Sequence, residues 1–345
     1  SPCEALAAVV GVGDVRGPVR ALLARDPSLA RRWRDAVDRR PVEAHRHALA
    51  RLGVDVLVPD DPRFPAALVH DRQRPAALFV RGDLAALDRR RVAVVGTRNA
   101  TLRGCETAAR VGFELAAADV AVVSGLALGI DGAAHRGALA AAAAPPVAVV
   151  GSGPDVVYPR RHADLWRRVI ESGLLISEWP PGVAPEAYRF PLRNRLIAAL
   201  SEIVVVVESR TRGGSLITVR EAIERGVDVF AVPGAVDAPA SAGTNLLLRD
   251  GAAPLTDTGD LLLALGLDGR RAGGRRIDTR PPPRGLDANV LAACRAAPLT
   301  VDRVADRLAL SLADAALSLA RLEQAGWLRE VAGWFEPCDV YADLV

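Results

Sequence analysis

Short apolar runs at Val92–Val95, Val120–Ser124, Val147–Val150, Leu174–Ser177, Ile203–Glu208 and Val227–Val232 constrain this chain more than any other feature. Nearly all are followed by glycine or proline and then by a helical pattern. Continuous valine and isoleucine, without period-two alternation, suit strands buried on both faces. Such strands alternating with helices predict an α/β domain, a Rossmann-like, doubly wound, mostly parallel sheet. Ala76–Val80 reads as a preceding strand, Val54–Val58 as another short one, and Ala253–Thr256 as an edge strand.

Open α/β sheets bind ligands outside the carboxyl ends of their strands. Here those ends are Gly96–Asn99, Gly125–Asp131, Gly151–Asp155, Ser177–Phe190 and Arg212–Ser215. Glycine lets backbone N–H groups approach an anion closely. A glycine turn is common without any ligand, so one such loop decides nothing; several on one rim point to an anion. The segment Phe190–Ser201, FPLRNRLIAALS, reads as a buried helix whose first turn carries Arg193, Asn194 and Arg195. Cations at a helix N-terminus are unfavourable unless an anion joins them. The alternative is an ion pair with Glu178 or Glu208. Arg98 follows a strand end and precedes a helix capped by Asn99 or Thr101, so it is expected over the same rim. Tyr158, Trp179, Tyr188 and Phe190 lie in rim loops, where they either stack bases or anchor the loops.

The 345 residues carry a formal charge of only +3, so a nucleic-acid site has to be a local patch. All 44 basic residues other than histidine are arginine. Lacking lysine, the chain excludes Schiff-base chemistry and a Walker-type loop. Cys3, Cys105, Cys294 and Cys338 are scattered, with no metal-ligand spacing, which predicts no metal and reduced thiols in the cytoplasm. No signal-peptide pattern and no long apolar run suggests a membrane. Asp131 and His135 sit at i, i+4, but without a GxSxG elbow they read as a helix cap beside a surface histidine. No GxGxxG fingerprint occurs, so no dinucleotide cofactor is expected.

The domain reading is a helical N-terminal domain (1–58), a Rossmann-like core (59–266), a Gly/Arg/Pro-rich linker (267–286) and a C-terminal winged helix (287–345). Thr300 and Ser311 are expected to cap the second and third helices of that last domain. The third helix, SLADAALSLARLEQAG, holds one arginine against Asp314 and Glu323, too few donors for major-groove reading.

The motifs VAVVGTR (92–98), VVSGLALGIDGAAHRGAL (122–139), VGSGPDVVYPRRH (150–162), ISEWPPG (176–182), FPLRNRLIAALS (190–201), VVVVESRTRGGSLITVREAIERG (204–226), FAVPG (230–234) and GTNLLLRDGA (243–252) together resemble the DNA-processing protein family DprA, or Smf. The resemblance covers about 75 to 260 and implies a non-catalytic protein with a Rossmann-like core. It implies single-stranded DNA and the RecA recombinase as partners in natural transformation, and a homodimer. The family's basic pocket maps onto Arg98, Arg160, Arg193 and Arg195. The family often has GSR where Thr97 stands, and asparagine where His162 stands. The expected phosphate and DNA contacts are Gly96, Thr97, Arg98, Gly125, Tyr158, Arg160, Phe190, Arg193, Asn194, Arg195, Gly213, Gly214 and Ser215, with no catalytic residue. The rival is an enzyme: Arg212–Ser215, Thr218 and Glu221 also resemble the PGGxGTxxE region of lysine-decarboxylase-like nucleotide phosphoribohydrolases. A third reading is a pure interaction module.

Overall fold

The valine-rich runs form the centre of a nine-stranded sheet in the computed structural model, which describes residues 42–267 and 278–345. The expected N-terminal helices before residue 42 and most of the expected linker lie outside the described residues. The chain divides into two compact units, residues 1–274 and 275–345.

The first unit opens with helix α1 (Val42–Arg51) and strand β1 (Asp55–Leu57), then α2 (Ala66–Val69) and β2 (Leu78–Gly82). The alternating part is β3 (Arg90–Val95), α3 (Leu102–Ala117), β4 (Val120–Ser124), α4 (Ile130–Ala141), β5 (Val147–Val150), α5 (Ala163–Ser172) and β6 (Leu174–Ser177). It continues with α6 (Arg189–Ala199), β7 (Ile203–Val206), α7 (Ser215–Ile223), β8 (Asp228–Ala231), α8 (Ala242–Arg249), β9 (Ala253–Pro254) and α9 (Thr258–Ala264). The sheet order is β1-β2-β6-β5-β4-β3-β7-β8-β9. Pairs from β6 to β9 are parallel, whereas β1–β2 and β2–β6 are antiparallel. β1 therefore completes the sheet edge, rather than belonging to the N-terminal helical segment that the sequence reading ended at residue 58.

Side chains of successive strand residues point to opposite faces, and both faces are covered. Val147, Val149, Val204 and Val206 meet Leu196 and Ile197 of α6 and Val219 and Ala222 of α7. Ala148, Val150 and Leu175 face the other way, onto Leu165, Trp166 and Val169 of α5. Helices α3 and α4 cross closely because Gly112 lies against the Ala134 carbonyl and Gly137 against the Ala109 carbonyl. A side chain at either glycine would hold the two backbones apart.

The second unit has its own core. Helices α10 (Leu286–Ala296), α11 (Val301–Leu308) and α12 (Leu312–Gln324) bury Leu291, Val304, Leu319 and Leu322 together with Trp327 and Phe335 of an antiparallel hairpin, β10 (Leu328–Val331) and β11 (Trp334–Pro337). Thr300 and Ser311 cap α11 and α12, accepting from the Arg303 and Asp314 N–H groups.

Candidate nucleic-acid interface

Strand order reverses at β3. The connections β3–β4–β5–β6 run one way across the sheet and β7–β8–β9 the other. The loops after β3 and β7 therefore diverge and leave a crevice, the expected ligand position in such sheets. The turn after β3 holds Gly96, Thr97 and Arg98. Gly96 is close-packed between Ile130 and the Glu208 backbone, so no side chain fits there. The Thr97 N–H donates to the Glu208 carbonyl at 2.8 Å, and its carbonyl accepts from the Ile130 N–H at 3.3 Å. Glu208 also receives the Thr101 N–H (2.9 Å) and hydroxyl (2.5 Å), which fixes the start of α3. The turn is thus held by its own backbone, and Arg98 is left exposed.

A cleft of about 60 Å³ occupies the crevice. Of the expected contacts it brings together Gly96, Arg98, Phe190, Arg193, Asn194, Gly214 and Ser215, joined by Asp131 and Thr218. It adjoins a shallower shelf of about 370 Å³ lined by Arg98, Tyr158, Phe190 and Pro191. The Arg98 guanidinium carbon stands 4.9 Å from the Phe190 ring centroid, and the Tyr158 ring is 5.4 Å from that of Phe190. Asn194 donates to the Gly214 carbonyl at 3.4 Å and so ties α6 to the start of α7.

Several expectations need correction. Helix α6 begins at Arg189, so Arg193 and Arg195 lie in its second turn, not its first. Pro191 does not delay the start, because first-turn N–H groups have no helical acceptor anyway. Residues two apart on a helix face different ways. Arg195 accordingly leaves the rim and pairs with Glu178 at 2.5 Å, the alternative the sequence left open. Burial pushes the Glu178 carboxyl up, against the pull of Arg195.

Arg193 does face the crevice, but from inside. It is 4 % exposed, donates to the Gly125 carbonyl at 3.2 Å, and its Nε is buried without a hydrogen bond. Burial lowers the Arg193 guanidinium to about 10, opposed by Asp131 and helped by Arg98. Burial also raises the Asp131 carboxyl, opposed mainly by Arg193. Gly125 is not an open anion donor either. Its N–H donates to Asp131 Oδ2 at 3.1 Å, and a Cβ there would overlap the Arg193 guanidinium. Gly125 is small to admit that arginine.

Gly213 lies against the Ser209 hydroxyl, its N–H donating to the Arg210 carbonyl at 3.0 Å, and does not line the cleft. Arg160 is exposed in a 3₁₀ turn, Arg160–His162, and lines neither cleft nor shelf. His162 is buried, with Nδ1 3.0 Å from the Leu126 carbonyl. Trp179 anchors its loop: Arg189 stacks over it at 4.6 Å and Tyr188 meets it edge-on. His135 is no surface histidine. It is fully buried, neither ring nitrogen has a well-formed hydrogen bond, and burial lowers its imidazole to about 3.

Two polar cleft residues, Thr218 and Asp131, were not singled out as contacts. Thr218 is one turn after Ser215 on α7, and that spacing is the signal that places them on one face. Asp131 is a counter-charge only because the fold sets it beside Arg193. Glu221, the glutamate of the motif shared with the enzyme rival, is bound by Arg225 at 2.6 Å and does not line the cleft. Among the described residues no group of three histidine, cysteine, aspartate or glutamate side chains could hold a metal. No helix among them is long and apolar enough to cross a membrane.

Known proteins resemble this chain in sequence and fold. The chain is 38 % identical over 293 residues to protein Smf of Escherichia coli, covering 81 % of this chain and 76 % of that one. It is 40 % identical over 204 residues to DNA processing protein DprA of Streptococcus pneumoniae, covering 59 % and 71 %. The crystal structure of DprA from Streptococcus pneumoniae superposes with a TM-score of 0.59 at 37 % identity, covering 63 % of this chain and 77 % of that one. DprA from Helicobacter pylori, whose structure describes a single-stranded DNA binding mode, superposes at 0.56 with 28 % identity, covering 61 % and 95 %. The family model described as DNA recombination-mediator protein A matches residues 55–266, and with these relatives it establishes that the chain belongs to that family, DprA/Smf.

Proposed function

We propose that this chain binds single-stranded DNA without reading its sequence and does no catalysis. Phosphates lie over Arg98, the Arg193 side of the cleft and the Gly214–Ser215 start of α7. Bases lean on Phe190 or Tyr158, and Arg160 meets a neighbouring phosphate. Arg195 belongs to the protein's own structure. As in its family resemblance, the chain protects incoming DNA and loads RecA in natural transformation, acting as a cytoplasmic homodimer.

The observation that carries this reading is Arg98. It is exposed, it has no ion pair among the described residues, and it stands beside two aromatic rings at the crevice. A cation with aromatic platforms is what sequence-independent single-strand binding requires. The second unit reads as the winged-helix domain. Its α12 turns Ala313, Ala316, Leu317 and Ala320 outward, and its Arg321 is held by Asp287 at 2.5 Å. That face suits a protein contact better than a DNA groove.

Fluorescence anisotropy with a labelled single strand tests the reading. Arg98→Ala combined with Phe190→Ala is expected to weaken binding at least about tenfold, since stacking alone contributes roughly 1–3 kcal/mol per base. Unchanged affinity in a folded double variant overturns it.

A further inference from the structure

Helices α4 and α5 lie side by side, with an arginine on each flank of the groove between them. A side chain at Gly132 would meet the His162 ring, so the start of α4 packs on the turn that leads into α5. Further along, Leu139 of α4 and Ile170 of α5 pack against one apolar cluster. Between these two contacts lie Arg136, one turn beyond Gly132 on the same face of α4, and Arg168 of α5. Both arginines are half-buried.

Neither arginine makes a hydrogen bond or ion pair among the described residues. The two carboxylates of α5, Asp164 and Glu171, are both held by Arg167, at 2.5 and 3.4 Å. Asp131, the carboxylate of α4, lines the crevice beside Arg193. Burial lowers the Arg136 guanidinium, and the nearby charge of Arg168 lowers it further, against the pull of the Cys105 thiol. Two like charges held half out of water cost stability unless an anion lies between them. The planar forks of two arginines suit the oxygens of a phosphate.

The groove begins where the shelf ends. Tyr158 lines the shelf, and the chain runs from it through Pro159 into the exposed Arg160 and Arg161 at the head of α5. Arg161 also has no partner among the described residues. From Arg161 to Arg168 is about 10 Å at 1.5 Å per residue, or about three nucleotides at 3.4 Å each. An acidic protein segment would meet the same charges, but continuity with the shelf favours a nucleic-acid strand. Resting on the single-strand reading above, we propose that the strand leaves the shelf past Tyr158 and runs down the α4–α5 groove, where Arg161 takes one phosphate and Arg136 and Arg168 share a later one.

Fluorescence anisotropy with the full chain compares labelled oligothymidylates of about four and about twelve nucleotides, the shorter one confined to the crevice and shelf. In wild type the longer strand is expected to bind more tightly, with a slope of log K against log salt steeper by about 1.4, or about 0.7 for each of two added phosphates. Arg136→Gln combined with Arg168→Gln is expected to weaken the longer strand about tenfold and make its slope shallower by about 0.7, leaving the shorter strand as in wild type. Arg136→Lys with Arg168→Lys keeps both charges and is expected to keep the wild-type slope. The glutamine variant is expected to melt at or above the wild-type temperature, because it removes a repulsion and breaks no pair. A melt well below wild type shows the two arginines to be structural and overturns the site. Unchanged affinity and slope for the longer strand, or equal weakening of both strands, also overturns it. So does a polyglutamate peptide that binds wild type but not a glutamine variant whose strand binding is intact, which assigns the groove to an acidic protein segment. All of these leave single-strand binding standing, whereas wild type that binds neither strand overturns the single-strand reading itself.

Discussion

Two arginines separated by one residue behave oppositely here. Arg193 is turned under the crevice beside Asp131, whereas Arg195 is committed to Glu178. Arg195→Ala is expected to act on stability, costing roughly 1.5–3 kcal/mol for a charge-assisted hydrogen bond lost from a half-buried carboxylate, read by urea denaturation. Arg98→Ala is expected to leave stability unchanged and weaken binding, making the slope of log K against log salt shallower by about one. His135 supplies a third residue-level prediction. Its folded imidazole titrates at about 3, below the ordinary 6.5, so between these values the unfolded chain binds a proton that the folded chain does not. Stability therefore falls as the pH drops below 6.5, by about 1.4 kcal/mol per unit from this group. Asp131 works in the opposite sense, because burial raises its carboxyl. The measurement is thus the wild-type denaturation midpoint minus that of His135→Leu, a difference expected to fall as the pH drops from 7 to 5.

At the scale of elements, the crossing of α3 and α4 depends on Gly112 and Gly137, each against a carbonyl of the facing helix. Gly137→Ala is expected to cost at least the roughly 1–3 kcal/mol of an overpacked core, because rigid backbone has to move. A thermal melt of the variant reads this loss. Helix α6 was legible as an element in FPLRNRLIAALS, since its apolar residues recur at helical spacing. Its start was not, because proline is compatible with a first turn and Tyr188 makes no side-chain cap hydrogen bond to mark the end. That shift of a few residues moved both arginines out of the first turn and changed what they do.

Across the whole molecule, the near-neutral charge makes the interface a local patch. If about three or four phosphates are neutralised, log K is expected to fall with log salt at a slope of roughly −2 to −3, measurable in a titration series. The second unit has its own core, and the cleft and shelf use only residues of the first. A chain ending at Gly274 is therefore expected to keep its single-strand affinity, measured by the same anisotropy assay. Loss of binding in the folded truncation would move the interface to the C-terminal unit.

The sheet and its glycine-lined rim were legible in the chain alone. Valine runs buried on both faces require parallel strands with helices on either side, and the glycines after β3, β4 and β5 mark the ligand edge. The sequence also carried Arg98, Phe190 and Ser215, whose neighbours in the chain already place them at strand or helix ends. That Gly125 makes room for Arg193, that Asp131 balances it, that His135 is sealed in the interior and that Arg195 pairs with Glu178 emerges from the assembled fold. Each of these depends on contacts between segments far apart in the chain, and no local spacing encodes which side chain will reach across.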